Sequence, residues 1–400
     1  MRNDPVRELK FRDPARAAAL AAKLQRTVTK IGRSPVSVMH VCGSHEQAIA
    51  RYGLRSAFPR DLHVIMGPGC PVCITDQPEV DEAIALARQG IRIATYGDML
   101  RVPGSVASLA DVQGEGARVD VVYSVTQALA MARASSEPFV FFATGFETTA
   151  VATAAAILGD PPKNFYVLSA HKYIPPVMEI VSEMPGSRVE GFLAAGHAAT
   201  ITGWGVFDEF VARHEVPVVV AGFEPLDILA ALVRLVELVR DHSHTVENLF
   251  PRCVTREGNV AAQRQLWRVF RPIGGRWRGI AHVPNGNLRL RDEWAHVDAR
   301  RNFRIDLSAV WDGAPSLLSQ HCVCGDIMAG VKSPTGCRLF GRECLPENPV
   351  GACMVSTEGT CRIWHEYGIR GRGVEVEARS AEVGGRAVDL TSSASAGGGK

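Results

Sequence analysis

Residues 138–157 read PFVFFATGFETTAVATAAAI. The run from Phe139 to Ala143 is apolar on both faces and rich in aromatic and branched side chains, as in a strand of a parallel sheet covered on both sides. It ends at Thr144-Gly145, and from Thr148 to Leu158 the apolar residues take helical spacing. A strand that turns directly into a helix is half of a right-handed βαβ unit. Seven more short apolar runs lie between Pro35 and Arg240: VSVMHV, LHVIM, IRIATY and VDVVYS before this one, and NFYVLSA, EGFLAA and VPVVVA after it. Helical patterns such as Glu79–Gln89 and Leu226–Arg240 separate them. The class read from this alternation is an open-sheet α/β fold.

Eight strands could build one large sheet or two small ones. Gly145-Phe146-Glu147 recurs as Gly222-Phe223-Glu224, 77 residues later and again after a strand run, which favours two. The expected order is an N-terminal helical segment (1–34), an α/β domain (35–136), a second α/β domain (137–245), a C-terminal domain (246–370) and a disordered tail (371–400). The tail closes on TSSASAGGGK, too polar and glycine-rich to pack.

The chain has 400 residues, 46% of them apolar, and Lys+Arg 44 against Asp+Glu 42 leaves a formal charge of +2. Near-neutrality argues against a nucleic-acid partner. No run approaches the roughly 20 apolar residues of a membrane span, and the charged N-terminus lacks the apolar core of a signal peptide. The expected location is the cytoplasm. Ten cysteines there point to metal or redox chemistry, not to a disulfide scaffold.

The motifs that carry chemistry follow strand runs. Cys42-Gly-Ser-His45 follows VSVMHV, Cys70-Pro-Val-Cys73 follows LHVIM through Gly67-Pro-Gly, and Gly97-Asp98 follows IRIATY. Ligands of open α/β sheets bind outside the carboxyl ends of the strands, so these loops are expected to converge. Backbone N–H groups at the turn, with His45 nearby, are expected to lower the Cys42 pKa and hold a thiolate, the form that binds soft metals. Cys70 and Cys73 read as a redox dithiol, since no second ligand pair lies close enough for a zinc site. Glu147 reads as a general base or as a holder of His45 or of a ligand, with a helix-terminal carboxylate as the plainer alternative. His171 and His197 also follow strand runs.

Six cysteines crowd into forty residues: Cys322, Cys324, Cys337, Cys344, Cys353 and Cys361. Paired zinc knuckles are missing, and a C-x-C with later single cysteines suits four thiolates around an iron–sulfur cluster. Two of the six are then spare. Spacing does not choose between Cys322 and Cys324, and Cys353 could simply be buried.

VCGSHEQAI, GPGCPVC, ATGFETTA and C-x-C-G…P-x2-C-x-L-F…C-x-P…MVSTEG-x-C together resemble the HypD family of [NiFe]-hydrogenase maturation proteins, over about Met39 to Tyr367. The resemblance implies two Rossmann-like open-sheet α/β domains plus a smaller C-terminal domain with a [4Fe-4S] cluster. It implies a scaffold for the Fe(CN)2CO moiety of the hydrogenase active site, working with a HypC-type small chaperone and a HypE-type cyanide donor, with HypF upstream. Transferred by motif, Cys42 would hold the nascent iron with its CN and CO ligands, with His45 nearby and Glu147 lining the same crevice. Cys70 and Cys73 would be the redox pair. Cys337, Cys344 and Cys361, with Cys322 or Cys324, would hold the cluster. The family loop CGTH is CGSH here, and PGHVS around the later histidine is AGHAAT. The runner-up is an iron–sulfur oxidoreductase that reduces a partner disulfide through Cys70 and Cys73, which leaves Cys42 without a task. A third reading is a scaffold whose metal only stabilises the C-terminal domain. A hydrolase has no G-x-S-x-G support.

Overall fold

A computed structural model describes residues 11–308 and 321–368. The expected tail lies outside the described residues, as does Trp311.

All eight runs are strands: β1 (Val36–His40), β2 (Leu62–Met66), β3 (Arg92–Thr95), β4 (Val119–Val121), β5 (Phe139–Gly145), β6 (Phe165–His171), β7 (Phe192–Ala195) and β8 (Val218–Ala221). A short β9 (Val246–Asn248) follows, then a hairpin of β10 (Phe270–Arg276) and β11 (His282–Leu290). Two parallel sheets result, one ordered β2-β1-β7-β8-β9 and the other β4-β3-β5-β6, while β10 and β11 pair antiparallel. Every residue of β1, β5, β7 and β8 is buried. That is why these strands read as continuous apolar runs and not as alternating ones.

The sheets do not divide where a linear reading divides the chain. The first is built from residues 36–66 and 192–248, and the second, from 92–171, is inserted between those halves. A boundary at 136/137 would cut the second sheet between β4 and β5. Strand pairing is non-local, and spacing along the chain carries no record of which strands are neighbours. Numbered within each sheet, both follow the order 2-1-3-4, the doubly wound topology, with the first adding a fifth strand. The repeated Gly-Phe-Glu occupies unequal places in that scheme, after the third strand of one sheet and the fourth of the other.

In each sheet the strand order reverses beside the first strand, between β1 and β7 and between β3 and β5. Such switch points open a crevice at the carboxyl ends of the strands. Cys42 follows β1 and His197 follows β7, while Asp98 follows β3 and Glu147 follows β5. The C-terminal residues close over both ends. Ser356 Oγ (3.1 Å), Thr357 N (3.1 Å) and Thr357 Oγ1 (3.3 Å) donate to Asp98 beside one sheet. Ser44 Oγ donates to Glu358 Oε1 at 3.1 Å beside the other. One apolar cluster then runs from Phe142 and Phe192 of the two sheets to Cys344, Cys353 and Cys361.

Candidate functional site

Cys42 stands at the N-terminus of the helix Gly43–Arg51 and is 2% exposed. The Gly67-Pro-Gly loop lies directly on it. Gly43 N donates to Gly69 O at 3.2 Å, and a Cβ on Gly69 would fall 2.1 Å from Cys42 N. Only glycine allows that approach, and it seats Cys70 beside the Cys42 turn. Cys70 and Cys73 form a disulfide, with Cys70 capping the helix Pro71–Ile74. Cys73 is fully buried, its Sγ 4.0 Å from the carbonyl of Ala352 and so beside Cys353.

The expected Cys42 thiolate is not what the surroundings favour. Burial, with Glu358 adding to it, pushes the thiol up to about 12, against the pull of the His45 and Ser44 N–H groups. Desolvation of a charge outweighs a few aligned dipoles in an apolar pocket. Nor does His45 serve Cys42 or bind Glu147. Its Nε2 pairs with Gly222 O at 3.0 Å, and its ring lies 4.8 Å from that of Phe223. Burial drives its pKa down to about 3, so it is neutral. The imidazole that reaches Cys42 belongs to His197, with Nδ1 3.9 Å from Sγ. Its AGHAAT context hid that role in the sequence; the only available signal was its place after a strand.

Glu147 is fully buried and begins the helix Glu147–Leu158. Oε1 accepts from Ile174 N at 2.8 Å, and Oε2 has no partner among the described residues. Burial lifts its pKa to about 7, opposed by the Ile174 N–H, its own N–H and His197. A carboxyl poised near neutrality, with one free oxygen, can give or take a proton. His171 lies away from this group, with Nε2 3.0 Å from Thr153 Oγ1, and burial takes it down to about 3.

Beneath Cys42 lies a polar knot that the sequence did not reveal. Buried Glu46 accepts from His40 Nε2 at 2.9 Å, Arg55 Nη2 at 2.6 Å and Trp364 Nε1 at 2.7 Å. His40 Nδ1 lies 3.1 Å from the Cys42 carbonyl, so the knot fixes the backbone of the thiol itself.

Cys322, Cys324, Cys337, Cys344 and Cys361 line one small cavity with Ile327, Leu339, Phe340 and Met354. Cys353 is fully buried, as its reading as a simply buried residue expects, and its thiol interacts with those of Cys324 and Cys361. A Cβ on Gly351 would fall 2.5 Å from the sulfurs of both Cys322 and Cys324. Among the described residues no three donors are grouped as for a single metal ion. A cavity ringed by soft thiols, with the adjoining backbone kept bare, nevertheless fits an iron–sulfur cluster, whose ligands stand further apart than those of one ion.

Among the described residues no helix is long and apolar enough to cross a membrane. The profile described as the HypD, hydrogenase formation hypA family matches residues 15–368. The chain is 43% identical over 349 residues to a Methanocaldococcus jannaschii protein of the hydrogenase expression/formation type, covering 86% of this chain and 95% of that one. It is 40% identical over 383 residues to the hydrogenase maturation factor HypD of Azotobacter vinelandii, covering 92% and 98%. Against the HypD of Rhizobium leguminosarum bv. viciae it is 40% identical over 389 residues, covering 93% and 100%. On these matches the chain belongs to the HypD family of hydrogenase maturation factors.

Proposed function

We propose that the chain is the platform on which the Fe(CN)2CO unit of the [NiFe]-hydrogenase site is assembled, with iron as cargo held through Cys42. The observation that carries this reading is the meeting of Cys42 with His197 at one switch point, next to the disulfide-bonded Cys70 and Cys73. A soft thiolate suits an electron-rich iron bearing cyanide and carbon monoxide. With its thiol pushed up to about 12, Cys42 gives up its proton only as the metal binds, and His197 is the nearest ring nitrogen to take it.

Cyanide delivered on a carrier sulfur needs two electrons to leave. The S–C bond breaks, carbon departs with the electron pair as cyanide, and the carrier sulfur becomes a thiol. Cys70 and Cys73 supply the electrons by closing to the disulfide and releasing two protons, one for the carrier sulfur and one for a base such as Glu147. Cys337, Cys344 and Cys361, with Cys322 or Cys324, would hold a [4Fe-4S] cluster, which when bound supplies the electrons that reopen the disulfide. A HypC-type chaperone and a HypE-type cyanide donor are the partners this scheme requires, in the cytoplasm.

The scheme is tested by transfer of 13C from labelled carbamoyl phosphate in the presence of HypC, HypE and HypF. Wild type is expected to acquire iron-bound label and Cys70→Ala to acquire none. Full labelling of Cys70→Ala would remove the dithiol from the scheme.

A further inference from the structure

β2 (Leu62–Met66) is the outermost strand of the five-stranded sheet and pairs only with β1. Val36 N donates to Asp61 O and Gly67 N to His40 O, so the odd-numbered residues turn their backbone to β1. The backbone groups of Val64 and Met66 therefore face away from the sheet, an open edge of the kind that accepts another strand. Arg55 reaches that edge, its Nη1 donating to Val64 O at 3.0 Å. All five residues of β2 line a groove of about 910 Å³. Its far wall is the C-terminal segment, with Gly330 seated against Ile65 and Thr360 Oγ1 2.8 Å from Met66 Sδ.

Phe58, Ile65, Trp364 and Tyr367 give the groove apolar surface, and Arg55, Arg60 and Lys332 give it positive charge. Among the described residues no Asp or Glu lines it. Glu46 pairs with Arg55 and Asp326 with Lys332, while Arg60 is exposed and has no ion pair among the described residues. An open strand edge with apolar surface and unmatched positive charge suits an extended segment that alternates apolar and acidic residues. The chain carries one next to the groove. Gly368 lines the groove, and five residues later the sequence reads Val374-Glu375-Val376-Glu377-Ala378-Arg379. On a strand, Val374, Val376 and Ala378 share one face and Glu375 and Glu377 the other. Residues 369–373 span up to about 17 Å, the length of a five-residue strand, so Val374 can reach any register on β2. The polar, glycine-rich TSSASAGGGK begins only at Thr391.

We infer that residues 374–379 add to the open edge of β2 as a further strand of this sheet, with the valines on the apolar surface and Glu375 and Glu377 toward Arg60 and Lys332. Main-chain bonds to Val64 and Met66 supply the attachment, and the alternation sets the register. The chain's own tail thereby closes the groove, which Ile49 and Ala50 of the helix Gly43–Arg51 also line. The inference is independent of the iron and dithiol chemistry proposed above.

The test is hydrogen–deuterium exchange of the full chain, read by mass spectrometry on the peptide that spans β2. Wild type is expected to protect the Val64 and Met66 amides equally at low and high protein concentration. Val376→Pro with Glu377→Pro removes one amide from each side of such a strand and is expected to release them, a gain of about two deuterons. Glu375→Lys with Glu377→Lys is expected to do the same through charge, and adding Arg60→Glu to that pair is expected to recover part of the protection. Equal exchange in wild type and the Pro variant would overturn the proposal. Protection that falls on dilution would put a second copy's strand in the groove, and protection that appears only with a HypC-type chaperone would give the groove to that partner. Either result also overturns it.

Discussion

Trp364 donates its indole N–H to Glu46 Oε1 at 2.7 Å, tying the last described helix to a carboxylate four residues beyond Cys42. Arg55, whose guanidinium carbon lies 5.2 Å from the centre of the Trp364 ring, binds the same carboxylate. Burial alone would raise the pKa of Glu46, yet Arg55 and His40 hold it well below the usual carboxylate range. The C-terminal segment thus grips the thiol loop through a charged buried group.

Glu46→Ala leaves Arg55 facing a void and is expected to cost about 3–5 kcal/mol in urea unfolding. Trp364→Phe loses one hydrogen bond to a charged group, about 1.5–3 kcal/mol. Because the folded pKa is depressed, this stabilisation is present above the unfolded value and is lost as pH falls through the folded one. The gap between wild type and Glu46→Gln should therefore close in strong acid.

Cys42, with its thiol near 12, should alkylate far more slowly with iodoacetamide at pH 8 than a free thiol. Glu358→Gln removes a contributing negative charge, so the Cys42 pKa falls and alkylation speeds up. Mass spectrometry of the Cys42 peptide reads the rate. A rate equal to that of a free thiol would contradict the burial argument.

Glu147 ionises only at a cost, because its folded pKa of about 7 lies above the ordinary 4.5. The stability contributed by its neutral form is complete below the unfolded pKa and is lost as pH rises through about 7. Glu147→Gln keeps the neutral shape, so its stability relative to wild type should rise between pH 4 and 7 and then level off. Denaturant midpoints at four pH values check this.

Gly351→Ala would drive a methyl group into the sulfurs of Cys322 and Cys324. The expected result is a folded chain that loses most of its iron and acid-labile sulfide. Helical content by circular dichroism is expected to change little, since the helix that Gly351 caps, Ala352–Val355, is only four residues long.

The sequence made the strands legible because both faces of each are buried, and it made the loops legible because Gly, Cys and Glu follow the strands directly. Sheet membership was not legible: β7 pairs with β1 across about 150 residues, and nothing local to Phe192 records that partner. The same non-locality hid the approach of His197 to Cys42, 155 residues away in the chain. His45 was misjudged for a different reason. Proximity in sequence to Cys42 suggested a partner, but the first turn of the helix points its ring toward Gly222 and Phe223.

The central claim is that Cys42 anchors iron. It is tested most directly by infrared spectra of the chain purified anaerobically from cells that express the other maturation proteins, with wild type and Cys42→Ala recorded side by side. Bands of iron-bound cyanide and carbon monoxide are predicted in wild type and absent in Cys42→Ala, with cluster iron equal in both. The same bands at full strength in Cys42→Ala would contradict the account.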